Sequence, residues 1–453
     1  MRKIAIIGAG SAQFSGGIIR DLCVTPSLHG TKLTLMDVDA RRLKFITEMG
    51  CKMTAELNAS LEFEATTDRI EALRNADFVI NTAQDQGHGW VNAEADMMAR
   101  HGYYRNGTLG QIYQAAFLLE VAKDIQKYCP NAVLIQSSNP VFEGCTVIHR
   151  GTDVQAIGLC HGHYGYREIA DVLGLERFHV TAKMFGFNHW IWMTDFRYKG
   201  QNAYPLIDQW IAENAESYWK RPRKYADQQM SRAAITLYQM MGLMPIGDTP
   251  RMMDHPSLLG WLFNESLEAK KYWYSQQGGF DSAEGWAEYL RDLEKNLQDI
   301  EEAATLSEKR VTDIFKPVQS DEQIVPIIES LLFNKPNIYQ VNVPNRGHVV
   351  EGFPEDIVVE CEALVSSAGV QPLHMGRLPT RVMAGAMNPR YAECEFMSEF
   401  VLTGEREALR LLLLHDHATR SLAQVDALID EWILDPRNRC IRDIMKQGGK
   451  QYV

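Results

Sequence analysis

Apolar residues along the first 160 positions fall into two alternating textures. Short apolar runs at Lys3–Ile7, Leu33–Met36, Leu61–Glu64, Phe78–Thr82, Ala132–Gln136 and Ala156–Cys160 read as strands. Between most of them lie longer segments, such as Arg41–Leu57 and Gln111–Tyr128, whose apolar residues recur at helical spacing. Strands separated by helix-length segments predict βαβ units and a mostly parallel sheet. Their Ile-Ile, Phe-Val-Ile and Val-Leu-Ile content suits strands buried on both faces. The fold class expected is therefore α/β, with six strands in a doubly wound parallel sheet.

Past about Phe196 the texture changes. Ser282–Leu306 reads as a long amphipathic helix, and Met- and Trp-rich patches occupy Tyr238–Met244 and Met252–Trp261. Strand-like stretches follow at Ile338–Val343 and Ile357–Leu364, then a helical tail from Arg390. No internal repeat or low-complexity linker separates the halves. The expected division is a nucleotide-type domain over 1–195 and a mixed α+β domain over 196–453 that completes an active site with it.

Composition narrows the function. The 453 residues carry 46 Lys plus Arg against 58 Asp plus Glu, a net charge of −12. That balance argues against nucleic-acid and anionic-membrane partners, which need basic surfaces. Hydrophobic residues at 45% and charged residues at 23% exclude disorder. A chain this long buries about three quarters of its unfolded surface, so no disulfide staple is needed. Its eight cysteines contain no CxxC pair. No apolar leader precedes the first strand, and no window approaches about 18 uninterrupted apolar residues. The expectation is a cytoplasmic protein with free thiols.

Gly8-Ala9-Gly10-Ser11-Ala12-Gln13 follows the first strand and opens a helical segment. Gly8 suits a tight turn, and Gly10 lets the backbone approach a pyrophosphate at the helix N-terminus, although Gln13 replaces the usual third glycine. The second strand ends Leu35-Met36-Asp37, where an acidic side chain bonds both ribose hydroxyls and selects NAD over NADP. An ordinary βα turn with a surface Asp is the bland alternative. Together these signals make the sheet Rossmann-type.

Further chemistry sits at strand ends. The fifth strand runs into Ser137-Ser138-Asn139-Pro140 and the sixth into Cys160-His161-Gly162-His163, both facing the ligand crevice. His189 follows Cys160 within Phe185-Gly186-Phe187-Asn188-His189. One thiolate and one imidazole suit a divalent transition ion with open positions left for substrate oxygens. A buried cysteine and a core histidine, each with no ion, explain the same two residues.

These segments resemble glycoside hydrolase family 4, the NAD- and metal-dependent glycosidases. The likeness spans the chain. It includes Gly8-Ala9-Gly10-Ser11, Leu35-Met36-Asp37, Ala76–Ala83, Asn139-Pro140, Cys160–His163, Asn188-His189, Asn202–Leu206 and Met244–Thr249. The Cys-His-Gly-His tetrad resembles the α-glucosidase branch, which acts on unphosphorylated sugars. The resemblance implies that Gly8, Gly10, Ser11, Gln13, Asp37 and Thr82 contact NAD, and that Cys160 and His189 ligate Mn²⁺ or another divalent ion. It implies substrate contacts from Asn139, His161 and Arg251. Asp248 is implied as the catalytic base, with Arg251 holding it ionised; a helix N-cap is the bland reading of Asp248. The segment Asn106–Gly110 lacks the acidic residue that several relatives carry, so His161 becomes the candidate leaving-group acid, with sugar binding or support of the metal ligands from behind as its other roles.

The reaction implied is hydrolysis of an α-glycoside by oxidation at C3, deprotonation at C2, elimination, water addition at C1 and re-reduction. NAD-dependent glycosidases of this kind fall outside the two-carboxylate scheme. The sugar expected is an unphosphorylated α-glucoside; α-galactosides and acidic sugars remain open, as His161, His163 and Arg251 offer partners for an anion. Two other classes compete: a sugar or hydroxy-acid dehydrogenase, since the architecture resembles lactate and malate dehydrogenases, and a non-catalytic NAD sensor. A small sugar is the partner expected, in a homodimer or homotetramer as the resemblance implies.

Overall fold

The computed structural model describes residues 2–103, 108–221, 224–225, 229–252, 266–274, 278–280, 282–305 and 309–448. Its centre is one sheet of thirteen strands. Six come from the first third of the chain: β1 (Lys3–Ile7), β2 (Thr31–Met36), β3 (Leu61–Thr66), β4 (Phe78–Asn81), β5 (Val133–Gln136) and β6 (Gln155–Gly158). They pair in parallel in the order β6-β5-β4-β1-β2-β3, the doubly wound order expected. β1, β4 and β5 are almost wholly buried, as their unbroken apolar runs require. Helices Ala40–Glu56 and Thr108–Tyr128 match the two periodic segments to within three residues at either end.

The remaining strands are β7 (Val180–Phe187), β8 (Trp190–Tyr198), β9 (Gln201–Asn202), β10 (Met244–Ile246), β11 (Asn337–Pro344), β12 (Val358–Ser366) and β13 (Gly369–Pro372). They extend the same sheet beyond β6 in the order β11-β12-β7-β8-β10, all antiparallel. The second half is therefore hydrogen-bonded to the first along one sheet. The division expected at 195/196 falls inside β8. The strand-like stretches near 338 and 357 are present as β11 and β12. The β7–β8 hairpin escaped the periodicity reading because its inner ends, Met184–Phe187 and Trp190–Met193, are buried on both faces and show no alternation. The patch at 253–261 lies outside the described residues.

Three features place the site. The long helix Ala283–Thr305 lies against helix Ala40–Glu56, and Arg41 meets Glu301 at 3.0 Å. The hairpin β7–β8 turns through Asn188-His189, with His189 at φ 60°. β10 pairs with β8 and delivers Asp248 just beyond its end. Gly247 is what permits that delivery. It has φ 64°, and a Cβ there would stand 2.6 Å from the Gly162 carbonyl oxygen. The strand end thus presses directly on the turn that follows β6.

Candidate active site

The carboxyl ends of β1, β2, β4, β5 and β6 open into one cleft of about 1450 Å³. Eleven of the twelve expected site residues line it: Gly8, Gly10, Ser11, Gln13, Asp37, Thr82, Asn139, His161, His189, Asp248 and Arg251. Cys160, the twelfth, abuts it through His189.

The turn after β1 explains its glycines. Gly8 has φ 82°, and a Cβ there would stand 2.6 Å from the backbone of Ala83, so no side chain fits. The Gly10 N–H donates to Asp37 Oδ2 at 2.8 Å, and the Asp39 N–H donates to Oδ1 at 2.9 Å. Asp37 therefore braces the turn and keeps lone pairs toward the cleft. Thr82 is mostly spent on structure: its hydroxyl donates to Gly8 O at 3.1 Å. These residues fit a dinucleotide, with a cradle a Cβ would fill and a carboxylate at the end of β2.

At the other end four side chains converge. Cys160 Sγ lies 3.5 Å from His189 Nε2. The same nitrogen lies 3.1 Å from Asp248 Oδ2. Arg251 grips Asp248 with two parallel bonds, Nε to Oδ1 at 2.9 Å and Nη2 to Oδ2 at 3.0 Å. Thr249 locks the arrangement: its hydroxyl oxygen accepts from Ile191 N at 2.9 Å and lies 2.7 Å from Ile246 O. That bond ties the β10 turn to the hairpin carrying His189.

Burial and charge set the protonation states. Burial pushes the Cys160 thiol up to about 12, and the carboxylates of Glu360 and Asp248 add to the rise. Burial lowers His189 to about 4 against the pull of Asp248, so its imidazole is neutral. Burial would raise Asp248, but the Arg251 guanidinium, by its charge and its hydrogen bonds, outweighs it and holds the carboxyl well below the usual range. Asp248 is ionised. His161 faces Glu322 at 3.4 Å, and that carboxylate raises its pKa. The imidazole of His161 is thus biased toward its proton-carrying form, and 59% of the side chain is exposed.

The donor set fits a divalent ion. Two ligands about 2.1 and 2.3 Å from one ion, at roughly tetrahedral to octahedral angles, stand about 3.1–3.6 Å apart. Cys160 and His189 are at that separation. Among the described residues no group of three or more His, Cys, Asp or Glu is placed to hold a metal ion, so this pair supplies two ligands.

Not every expected residue serves the cleft. His163, offered as a partner for an anion, is buried, with Nδ1 3.1 Å from the Cys160 carbonyl oxygen. Burial drives it down to about 4, so it is neutral. It shapes the Cys160 turn instead. Conversely, two buried groups behind the site had no signal in the sequence. Glu360 on β12 accepts from Asn188 Nδ2 at 2.8 Å, across 172 positions of chain. Arg390 lies between Glu143 and Glu393 and faces the rings of Phe142 and Trp190.

The chain has counterparts among known proteins. Residues 3–175 match the family 4 glycosyl hydrolases, and residues 184–419 match the C-terminal domain of that family. The chain belongs to family 4 of the glycosyl hydrolases. An α-galactosidase of Bacillus subtilis (strain 168) is 24% identical over 94% of this chain and 96% of its own. An α-glucosidase of Erwinia rhapontici is 26% identical, covering 95% of this chain and 97% of its own. A 6-phospho-α-glucosidase from gut microorganisms, solved in complex with NAD and Mn²⁺, superposes with a TM-score of 0.78 at 17% identity, over 97% of this chain and 98% of that one. For this family 4 chain, no helix among the described residues is long and apolar enough to cross a membrane.

Proposed function

We propose that the protein is an NAD- and divalent-metal-dependent α-glycosidase acting on an unphosphorylated sugar, with α-glucosides as its substrates. One observation carries the reading: a dinucleotide turn opens into the same cleft as a Cys160–His189 pair with an ionised Asp248 beside it. A dehydrogenase of the lactate or malate type needs the first of these and has no use for the second. When bound, NAD⁺ supplies a reversible hydride acceptor and the ion a Lewis acid beside the sugar oxygens.

The chain's own residues do the rest. Gly8, Gly10, Ser11, Gln13, Asp37 and Thr82 hold the dinucleotide, and Cys160 with His189 holds the ion. His189 Nε2 cannot both ligate an ion and donate to Asp248, so loading the site frees an Asp248 lone pair. Asp248 then takes the C2 proton, which oxidation at C3 has made acidic. Asn139, exposed at the end of β5, and Arg251 orient the hydroxyls. His161, its proton stabilised by Glu322, supplies the proton that the departing oxygen needs. A homodimer or homotetramer in the cytoplasm completes the proposal.

A panel of p-nitrophenyl glycosides with Mn²⁺ and a thiol tests it. The α-glucoside should be cleaved with only trace NAD⁺ and no build-up of NADH; NADH rising with product would make the protein a dehydrogenase. Glu360 offers a second check. Outer-shell partners of metal ligands are worth about 10- to 100-fold in metal affinity. Glu360→Ala should weaken Mn²⁺ binding by that amount in calorimetry while NAD⁺ binding holds, because Asn188 loses the acceptor that orients its turn. Unchanged Mn²⁺ affinity would dismiss Glu360 from the site.

A further inference from the structure

One end of the cleft is walled by rings that the chemistry above does not use. His88, Tyr225, Phe280, Trp286 and Tyr289 all line it. Trp286 and Tyr289 sit near the start of helix Ala283–Thr305, with ring centroids 5.3 Å apart. Phe280 lies 4.9 Å from Tyr289 and 5.7 Å from Trp286. His88, from the helix that follows β4, reaches Trp286 at 5.6 Å, and Tyr225 meets Phe280 at 5.8 Å. The planes are tilted by 39° to 78°, in the favourable range for ring pairs.

Such a cluster inside a core is ordinary packing, but here each ring is only partly buried and borders the cleft. Apolar faces left against water are stabilised when a ligand covers them. The wall is also joined to the chemistry. The Arg251 guanidinium lies 4.5 Å over the Phe280 ring. Stacking uses the face of the guanidinium and leaves its edge for Asp248. The wall therefore begins one side chain from the ionised carboxylate.

Of the wall's polar tips, the Tyr225 hydroxyl donates to Asp292 at 3.1 Å, while the Trp286 indole N–H is buried with no acceptor among the described residues, a donor left for a ligand oxygen. The sugar that reacts has a polar place already, among Asn139, His161, Asp248 and Arg251. The dinucleotide turn meets a later stretch of the same helix: Gly10 and Asp39 share a pocket with Glu294 and Leu297, five and eight residues beyond Tyr289.

We propose that this wall is the subsite for the leaving group of the glycoside, taking a flat apolar face. An aromatic aglycone and the C–H face of a second pyranose both present one. The proposal rests on the glycosidase reading.

The test uses the full chain with NAD⁺, Mn²⁺ and a thiol, and three substrates with one glycone: a methyl α-glucoside, a p-nitrophenyl α-glucoside and an α-linked disaccharide. Trp286→Ala and Tyr289→Leu should each lower the kcat/KM ratio of p-nitrophenyl to methyl substrate by about 3- to 10-fold, the worth of one aromatic contact. Tyr289→Phe should keep the ratio, since the face and not the hydroxyl is used. If Trp286→Ala fails to fold by circular dichroism, the Tyr289 pair decides. A fall against the disaccharide as well assigns a sugar face, and a fall for the aryl substrate alone assigns an aromatic aglycone. Equal losses for methyl and p-nitrophenyl substrates would overturn the proposal, as would an unchanged ratio with weakened NAD⁺ binding. If the wild type cleaves none of the three, the glycosidase reading fails. The wall is then judged by calorimetry with p-nitrophenyl and methyl 1-thio-α-glucosides, and equal binding of both by wild type and Tyr289→Leu refutes it.

Discussion

Replacing Cys160 with serine should abolish turnover and leave the chain folded. The sulfur sits in a turn beyond β6, so the sheet does not depend on it. A serine hydroxyl is a poor ligand for a transition ion and does not ionise near neutral pH, whereas a coordinated thiol loses its proton. Mn²⁺ content after dialysis, activity with saturating NAD⁺ and a melting curve measure the three parts of this expectation. Wild-type turnover by Cys160→Ser after chelation would sink the metal assignment. The same ligand predicts a pH dependence. Burial pushes the free thiol up to about 12, while His189, at about 4, is already neutral above pH 5. Binding an ion then releases one proton, from Cys160. Mn²⁺ affinity should therefore rise with pH, by up to about tenfold per unit across pH 6–9, and fall as the solution is acidified. A flat profile would mean that the thiolate is not a ligand.

Asp248→Asn should lower kcat by about 10²- to 10⁴-fold, the usual contribution of a positioned base. The amide keeps the shape and one acceptor for Arg251 but cannot take a proton. Because Arg251 holds both oxygens, the substitution should also leave the guanidinium less well fixed, and some of the loss should appear in KM. The mechanism has a signature independent of rate. If the base removes the C2 proton and exchanges it with solvent, glucose released in D₂O carries deuterium at C2, seen by NMR. Product with full protium at C2, from active enzyme, would replace the elimination route by direct displacement at C1.

The strand positions in the first third of the chain were legible because each is an unbroken apolar run between helix-period segments, and burial on both faces demands that pattern. Gly8, Gly10 and Asp37 were legible for a local reason: a βα turn and the end of the next strand are fixed by a few adjacent residues. Cys160, His189 and Asp248 were found as separate positions. Residue type and strand-end position offered Cys160 and His189 as a pair, but a separation of 29 positions carries no contact information, and only the resemblance added Asp248 to them.

Their meeting required three tertiary events: the antiparallel extension of the sheet past β6, the Asn188-His189 turn, and the backbone contact of Gly247 with Gly162. The aromatic wall shows the same boundary. Trp286, Tyr289 and Leu293 form part of an i, i+3, i+7 stripe that the sequence marks as the buried face of a helix. That the first turns of this face look into a cleft, beside Arg251, depends on which surface the helix packs against. Glu360 lay beyond reach altogether: it stands two positions from Glu362 in an otherwise apolar strand, and nothing local tells the buried glutamate from the half-buried one. The sequence determined the parallel sheet, the dinucleotide turn and the identity of the reactive side chains, because these follow from local periodicity and local backbone geometry. The protonation state of each reactive group was decided by the tertiary structure alone, because burial and charge pairing are properties of neighbours distant along the chain.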